Sequence, residues 1–87
     1  MPTFEPMRIR VLLFALYRDL AGAEQLELEL PTGATVQDLL SAVRQLPGLA
    51  ALPARPALAI NHEYAFDYET VLSAADEVAL LPPVAGG

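Results

Sequence analysis

Residues 25–48 read QLELELPTGATVQDLLSAVRQLPG, and they place a strand directly before a helix. Leucines alternate with glutamates over 26–30, which is the period-two pattern of a strand with one buried face. Thr35 suits a helix N-cap, and Asp38 adds a negative charge to the first turn. Pro47-Gly48 then ends the helical pattern. The stretch therefore predicts one strand and one amphipathic helix that share a core.

The rest of the chain adds strands to this pair. Strands are predicted over 8–14, 57–61 and 77–81, and a tight turn at Asn61-His62 leads into one further short strand. Arg8 and Arg10 are expected to face Glu27 and Glu29 across the outer surface of the first two strands. The predicted fold class is α+β, with a mixed sheet of about five strands on one main helix. The helix carries an apolar stripe of Val36, Leu39, Leu40, Val43 and Leu46.

Length and composition narrow the class of protein. The 87 residues, 54% of them hydrophobic, predict a single domain over 1–81, with 1–6 as a loose extension and 82–87 as an extended tail. The net charge of −6 argues against nucleic acid as a partner. The absence of cysteine, of a long apolar run and of a signal-peptide pattern predicts a cytoplasmic protein without membrane contact.

All five basic residues are arginine, and no lysine occurs. Genome base composition is one explanation. The other is that a chain carrying an activated C-terminal acyl group avoids amines that could attack it. The sequence does not separate the two.

The segment LPPVAGG, residues 81–87, has the pattern of a functional tail. Pro82 and Pro83 fix φ and stiffen it, which lowers the entropy lost on docking. Gly86 and Gly87 have no Cβ, so they can thread a narrow channel. Residues 82–87 reach up to about 20 Å when extended. The pattern predicts that the tail carries a carboxylate into the active site of another protein.

Catalysis by the chain itself is not expected. Ser41 and Ser73 have no visible His–acid partners, and no phosphate-binding loop is present. His62 has no neighbouring His or Cys, so no metal site is predicted.

RVLLFALYRDLAG near the start and DEVALLPPVAGG at the end resemble the small subunits of molybdopterin synthase, which are ubiquitin-like β-grasp sulfur carriers. The resemblance extends from Met7 over nearly the whole chain. It implies that Gly87, preceded by Gly86, is adenylated by a ubiquitin-activating-type enzyme and converted to a thiocarboxylate. The adenylating enzyme uses ATP, and this chain binds no cofactor of its own. The carrier would then be a non-catalytic, sulfur-donating subunit in molybdenum cofactor biosynthesis.

The resemblance also implies partners and a docking surface. The partners are the large synthase subunit, the adenylating enzyme and a sulfur donor system. In a β-grasp sheet the first and last strands are parallel neighbours, so apolar residues from both are expected at the root of the tail. Arg18, in YRDLAG, would supply a polar contact at the rim. The predicted binding residues are Leu12, Phe14, Arg18, Ala79, Leu81 and the tail residues Pro82, Pro83, Val84 and Ala85.

Two alternative functions remain open from the sequence. The first is a related carrier for thiamine or tRNA thiolation, with the same tail chemistry and a different acceptor. The second is a ubiquitin-like protein modifier or a simple binding module. The Pro-Pro-Val before the last three residues favours molybdopterin synthase.

Overall fold

The computed structural model describes residues 6–53 and 55–82. Its elements follow the predicted order, with one additional helix, and the α+β class is confirmed. The division into a domain over 1–81 and a tail over 82–87 stays a prediction, because residues 1–5 and 83–87 lie outside the described ranges. The elements are β1 (Met7–Leu13), α1 (Ala15–Ala21), β2 (Gln25–Leu30), α2 (Val36–Arg44), β3 (Ala57–Ile60), β4 (Glu63–Ala65) and β5 (Glu77–Leu81).

The strands form one mixed sheet in the order β2-β1-β5-β3-β4. β1 runs antiparallel to β2 and parallel to β5, and β3 lies antiparallel to both β5 and β4. The parallel pairing of β1 with β5 confirms the neighbour relation implied by the resemblance. It brings the C-terminal ends of these two strands to the same end of the sheet.

The core lies between one face of the sheet and α2. Alternate residues of β1 are buried from Met7 to Leu13, whereas Arg8 and Arg10 are exposed on the opposite, outer face. The helix contributes its predicted stripe to the same cluster, except that Leu46 is only partly buried. The buried helix residues are Val36, Leu39, Leu40 and Val43.

Thr35 is the N-cap of α2, as the sequence predicts, and together with Asp38 it forms a capping box. The Asp38 backbone N–H donates to the Thr35 hydroxyl at 3.3 Å, and the Thr35 N–H donates to the Asp38 carboxylate at 2.9 Å. These bonds satisfy two backbone donors that the first helical turn leaves unpaired. The helix ends at Arg44, before the predicted Pro47-Gly48 stop.

A tight turn joins β3 to β4, which confirms the expectation for Asn61-His62. Their φ angles are +51° and +72°, the two left-handed conformations of a type I′ hairpin turn. The Asn61 side chain also accepts a bond from the Glu77 N–H at 3.0 Å and donates to Asp76 at 2.9 Å. The turn is thereby fixed to the start of β5.

The helix α1 is an addition to the one main helix that the sequence predicts. It has seven residues and ends where Gly22, at φ +74°, donates its N–H to the Arg18 carbonyl. Tyr17 is the only buried residue of α1, so the sequence has no apolar stripe that predicts this helix. No helix in the described part of the chain is long and apolar enough to cross a membrane.

Gly48 is where the loop after α2 meets the end of α1. Its φ is +86°, and an added Cβ would overlap the Leu20 carbonyl oxygen and lie 2.9 Å from the Leu20 carbonyl carbon. We expect Gly48→Ala to destabilise the fold by about 3 kcal/mol, since it combines left-handed strain with a backbone clash. Gly22→Ala is the matched control: its φ is also positive, but an added Cβ meets nothing within 4 Å.

Gly22→Ala should cost only about 1–2 kcal/mol, the strain alone. Urea unfolding of both variants measures the difference. Equal losses of unfolding free energy would show that the Leu20 carbonyl does not lie against Gly48 in solution.

Candidate functional site

The root of the predicted tail lies at one end of the sheet, beside the end of β1. Leu12 is paired with Ala79 and Leu13 with Leu80, so Leu81 follows at this same edge. Leu12, Ala79 and Leu81 are half-buried, as expected for apolar residues on the outer face of a sheet without a second layer there. The structure therefore brings these three predicted residues together at the tail root.

Phe14 completes this group. It follows β1 directly, has an extended backbone as the N-cap of α1, and leaves 45% of its surface exposed. We call Leu12, Phe14, Ala79 and Leu81 the tail-exit surface. Exposed aromatic and aliphatic groups of this kind mark binding sites more often than isolated apolar residues do.

Arg18 lies at the rim of the tail-exit surface. A cavity of about 420 Å³ is lined by Leu12, Leu13, Phe14, Arg18, Glu24 and Gln25. The Arg18 side chain is about half exposed, and within the described part of the chain its one ion pair is with the neighbouring Asp19 carboxylate, at 3.7 Å. It can therefore turn to a partner at little cost, since an exposed pair of this kind is worth less than about 1 kcal/mol.

The apolar area extends across β3 to β4, beyond the residues that the sequence predicts for the docking surface. Ala57 is paired with Leu81, Ala59 with Ala79, and Tyr64 with Ala59. Tyr64 is 71% exposed. The alternation of residues 57–60 could have indicated their outer face, but only the pairing of β3 with β5 places them beside the tail root.

The opposite end of the outer face is charged. Arg8 contacts Glu29 at 3.6 Å and Glu27 at 3.9 Å, which confirms the predicted pairing across β1 and β2. Arg10 lies opposite Glu27 in register, but its guanidinium contacts Glu77 of β5 at 3.4 Å. The outer face is thus polar away from the tail and apolar at the tail root.

A second cavity, of about 480 Å³, lies at this charged end. His62 borders it, 87% exposed and 3.6 Å from the Glu77 carboxylate. Within residues 6–53 and 55–82, no cluster of three or more His, Cys, Asp or Glu side chains could hold a metal ion.

The predicted carrier residues lie outside the described part of the chain. These are Pro83, Val84, Ala85, Gly86 and Gly87, and their roles stay predictions. Pro82 is described and is half-buried next to Leu81.

Tyr17 anchors α1, and thereby Phe14 and Arg18, to the core. Its side chain is 3% exposed, and its hydroxyl has no hydrogen-bond partner among the described residues. Burial raises the pKa of the Tyr17 hydroxyl above its ordinary value of 10.0, because the charged form is poorly solvated in the core.

We expect Tyr17→Phe to keep or raise stability by up to about 1 kcal/mol, because a buried unpaired hydroxyl is lost. The unfolded chain ionises at the lower pKa, so wild-type stability is full below pH 10.0 and falls as the pH rises through that value. The advantage of the variant should therefore grow above that pH. Urea unfolding at neutral and alkaline pH measures this, with Tyr64→Phe as the exposed control; a clear loss of stability at neutral pH would reveal a hidden hydrogen bond.

Comparisons with known proteins agree with this arrangement. The sequence matches the ThiS family over residues 11–87. It is 39% identical to the molybdopterin synthase sulfur carrier subunit of Arabidopsis thaliana, over 93% of this chain and 84% of that protein. It is 37% identical to the subunit of the same name from Chlamydomonas reinhardtii, over 93% of this chain and 100% of that protein.

Solved structures give the same fold. SAMP1 from Haloferax volcanii superposes with a TM-score of 0.81 at 29% identity, covering 92% of this chain and 99% of that one. The protein–protein complex of subunits 1 and 2 of molybdopterin-converting factor from Helicobacter pylori contains a chain with a TM-score of 0.69 at 25% identity, covering 93% and 100%. Caldiarchaeum subterraneum ubiquitin shares the fold with a TM-score of 0.63 at 24% identity, covering 95% and 100%.

The element order, the parallel β1–β5 pair and these similarities lead to one conclusion: the chain has the ubiquitin-like β-grasp fold, belongs to the ThiS family and is a homologue of the molybdopterin synthase sulfur carrier subunits.

Proposed function

We propose that this chain is the sulfur-carrying small subunit of a molybdopterin synthase. One observation carries the proposal: homologues of that name align over 93% of the chain at 37–39% identity. The family match extends to Gly87, so the tail belongs to the aligned region.

The proposed chemistry takes place at the carboxylate of Gly87. A carboxylate oxygen attacks the α-phosphorus of ATP on an adenylating enzyme of the ubiquitin-activating type, and pyrophosphate leaves. A sulfide equivalent from a donor system then displaces AMP and leaves a thiocarboxylate. The thiocarboxylate sulfur forms a C–S bond to a carbon of a cyclic pyranopterin precursor while a C–O bond at that carbon breaks and the oxygen leaves. Water then hydrolyses the resulting thioester, which returns the Gly87 carboxylate and leaves the sulfur on the precursor.

The folded domain does none of this bond chemistry in the proposal. It binds and positions, while the adenylating enzyme and the large synthase subunit supply the catalytic groups. The chain is therefore a non-catalytic subunit of a sulfurtransferase, and ATP is a substrate of its partner. A cytoplasmic location belongs to the same proposal.

The tail-exit surface is proposed as the docking site for the large subunit. It lies where the chain leaves β5, and its apolar residues stand beside Arg18, a cation free to reorient at little cost. The Helicobacter pylori complex of subunits 1 and 2 supports such a partner. Docking at the tail root would fix one end of a stiff segment and so limit where the thiocarboxylate can reach.

Two other acceptors are compatible with the same fold. The ThiS family match keeps a role in thiamine or tRNA thiolation open. The similarity to SAMP1, whose relative from Methanosarcina acetivorans is named small archaeal modifier protein 1, favours a protein modifier as the second candidate. The identity of the acceptor separates the three.

Intact-mass spectrometry tests the proposal. The chain is incubated with the adenylating enzyme, ATP and a sulfur donor, and then with the large subunit and the pyranopterin precursor. We expect a mass gain equal to replacement of one oxygen by sulfur, which disappears as the precursor gains sulfur. A thiocarboxylate that is consumed only by a thiamine precursor or tRNA, or Gly87 attached to lysines of other proteins, would contradict it.

A further inference from the structure

All five basic residues of the chain are arginine, and the contacts of four of them, Arg8, Arg10, Arg18 and Arg55, do not require a guanidinium; the fifth, Arg44, donates to the Pro53 carbonyl at 2.9 Å. Three of them make exposed contacts through single nitrogen–oxygen pairs. A lysine ammonium can make such contacts equally well, because the special advantage of arginine is paired, bidentate binding. The distances are 3.6 Å from Arg8 to Glu29 and 3.9 Å to Glu27, 3.4 Å from Arg10 to Glu77, and 3.7 Å from Arg18 to Asp19.

Arg55 lies near the end of β5, on the β3 side. Ala57 is paired antiparallel with Leu81, so the residues just before Ala57 lie at the end of the sheet where the chain leaves β5. The Arg55 guanidinium carbon lies 5.2 Å from the centre of the Tyr68 ring, a contact that an ammonium can also make. Arg55 and Arg18 thus place two cations near the tail exit, and neither contact requires a guanidinium.

The difference between the two cations is chemical reactivity. Arginine stays protonated at any working pH, whereas lysine has a pKa near 10.4, so a small fraction is a neutral amine. A neutral amine attacks the carbonyl carbon of an acyl-adenylate: a C–N bond forms, the bond from that carbon to the AMP oxygen breaks, and a proton goes to solvent. The product is a stable amide that can no longer carry sulfur.

The amine and the activated carbonyl belong to the same chain, so this side reaction can compete with transfer to an external acceptor. Two groups joined by a short stretch of the same chain meet at an effective concentration of about 1 mM. The start of β1 at Met7 lies at the opposite end of the sheet from the end of β5, because β1 and β5 are parallel. The length of β1 corresponds to a separation of about 20 Å. The basic side chains near the tail exit are therefore arginines, and the start of β1 lies at the far end of the sheet.

We propose that the lysine-free surface around the tail exit protects the activated Gly87 carbonyl from acylating its own chain, which restricts transfer to external acceptors. The inference rests on the proposed adenylation of Gly87. It also implies that this chain, unlike a modifier that builds chains on its own lysines, cannot be linked to another copy through a side-chain amide.

Two conservative substitutions test the inference. Arg55→Lys introduces an amine at the tail exit, and Arg8→Lys introduces one at the charged end of the sheet as the matched control. Each purified chain is incubated with the adenylating enzyme and ATP, without a sulfur donor. Pyrophosphate release measures activation, intact mass detects a product lighter by one water, and peptide mapping locates the new amide. Thermal melting verifies that both variants fold as the wild type does.

We expect Arg55→Lys to give at least about tenfold more of this product than either wild type or Arg8→Lys. Its yield should be independent of protein concentration and rise about tenfold per pH unit between roughly 7 and 9, as the amine deprotonates. Normal pyrophosphate release with no excess product, or equal product from both variants, would overturn the inference. Absent pyrophosphate release from wild type would instead refute the proposed function on which the inference rests.

Discussion

Deleting Gly87 will abolish sulfur transfer while the domain stays folded. The deletion leaves a carboxylate on Gly86, displaced along the tail by about 3.5 Å. Displacements of even about 1 Å in an active site can cost about 100-fold in rate, so transfer should fall by at least that factor. Thermal melting should change by no more than the equivalent of about 0.5 kcal/mol, as for a surface substitution.

Adding one glycine after Gly87 is the matched control for this deletion. It keeps both native glycines but moves the carboxylate by the same distance in the other direction. Both variants should fail in a coupled assay of sulfur transfer to the pyranopterin precursor. Transfer that continues in either variant would rule out a role that depends on the position of the terminal carboxylate, and unfolding of the deletion variant would show that the tail is structural.

Leu81→Asp will weaken binding to the large synthase subunit by about 30-fold or more, the effect expected of a central interface residue. Leu81 is half-buried at the end of β5, opposite Ala57 and beside the tail. A carboxylate there would have to lose its water without a partner when the surfaces meet. The fold should survive with a cost of about 1 kcal/mol, because the position is not in the core and Asp is only a poor strand former.

Val71→Asp is the control for that substitution. Val71 is a similarly apolar residue, 60% exposed, and it forms a bridge with Thr35 at the start of α2 rather than lying near the tail. Isothermal titration against the large subunit should show a loss of affinity for Leu81→Asp alone. Equal affinities of the two variants would remove the tail-exit surface from the interface.

Local sequence patterns predicted most helices and strands well, because the formation of these elements depends on neighbouring residues. Period-two alternation gave β2, the apolar stripe gave α2, and Thr35 gave the N-cap at which α2 begins. Asn61 and His62 gave the turn into β4, despite the lack of glycine there. The helix α1 was underestimated because six of its seven residues are not buried, so no periodicity revealed it.

The site was predictable in part. Leu12, Phe14, Arg18, Ala79 and Leu81 could be named from the resemblance, and the structure gathers them at one end of the sheet. The extension over Ala57, Ala59 and Tyr64 could not be named, because it depends on which strand pairs with β5 and in which register.

The sequence by itself determined which segments form strands and helix, and it put two prolines and two glycines after the last strand. These properties depend on backbone preferences and on side chains a few residues apart. Only the tertiary structure decided that Ala57 lies opposite Leu81 and that Arg10 contacts Glu77 rather than Glu27. Those outcomes depend on burying the whole core at once, because this brings together residues up to 67 positions apart. No short stretch of the sequence contains that information.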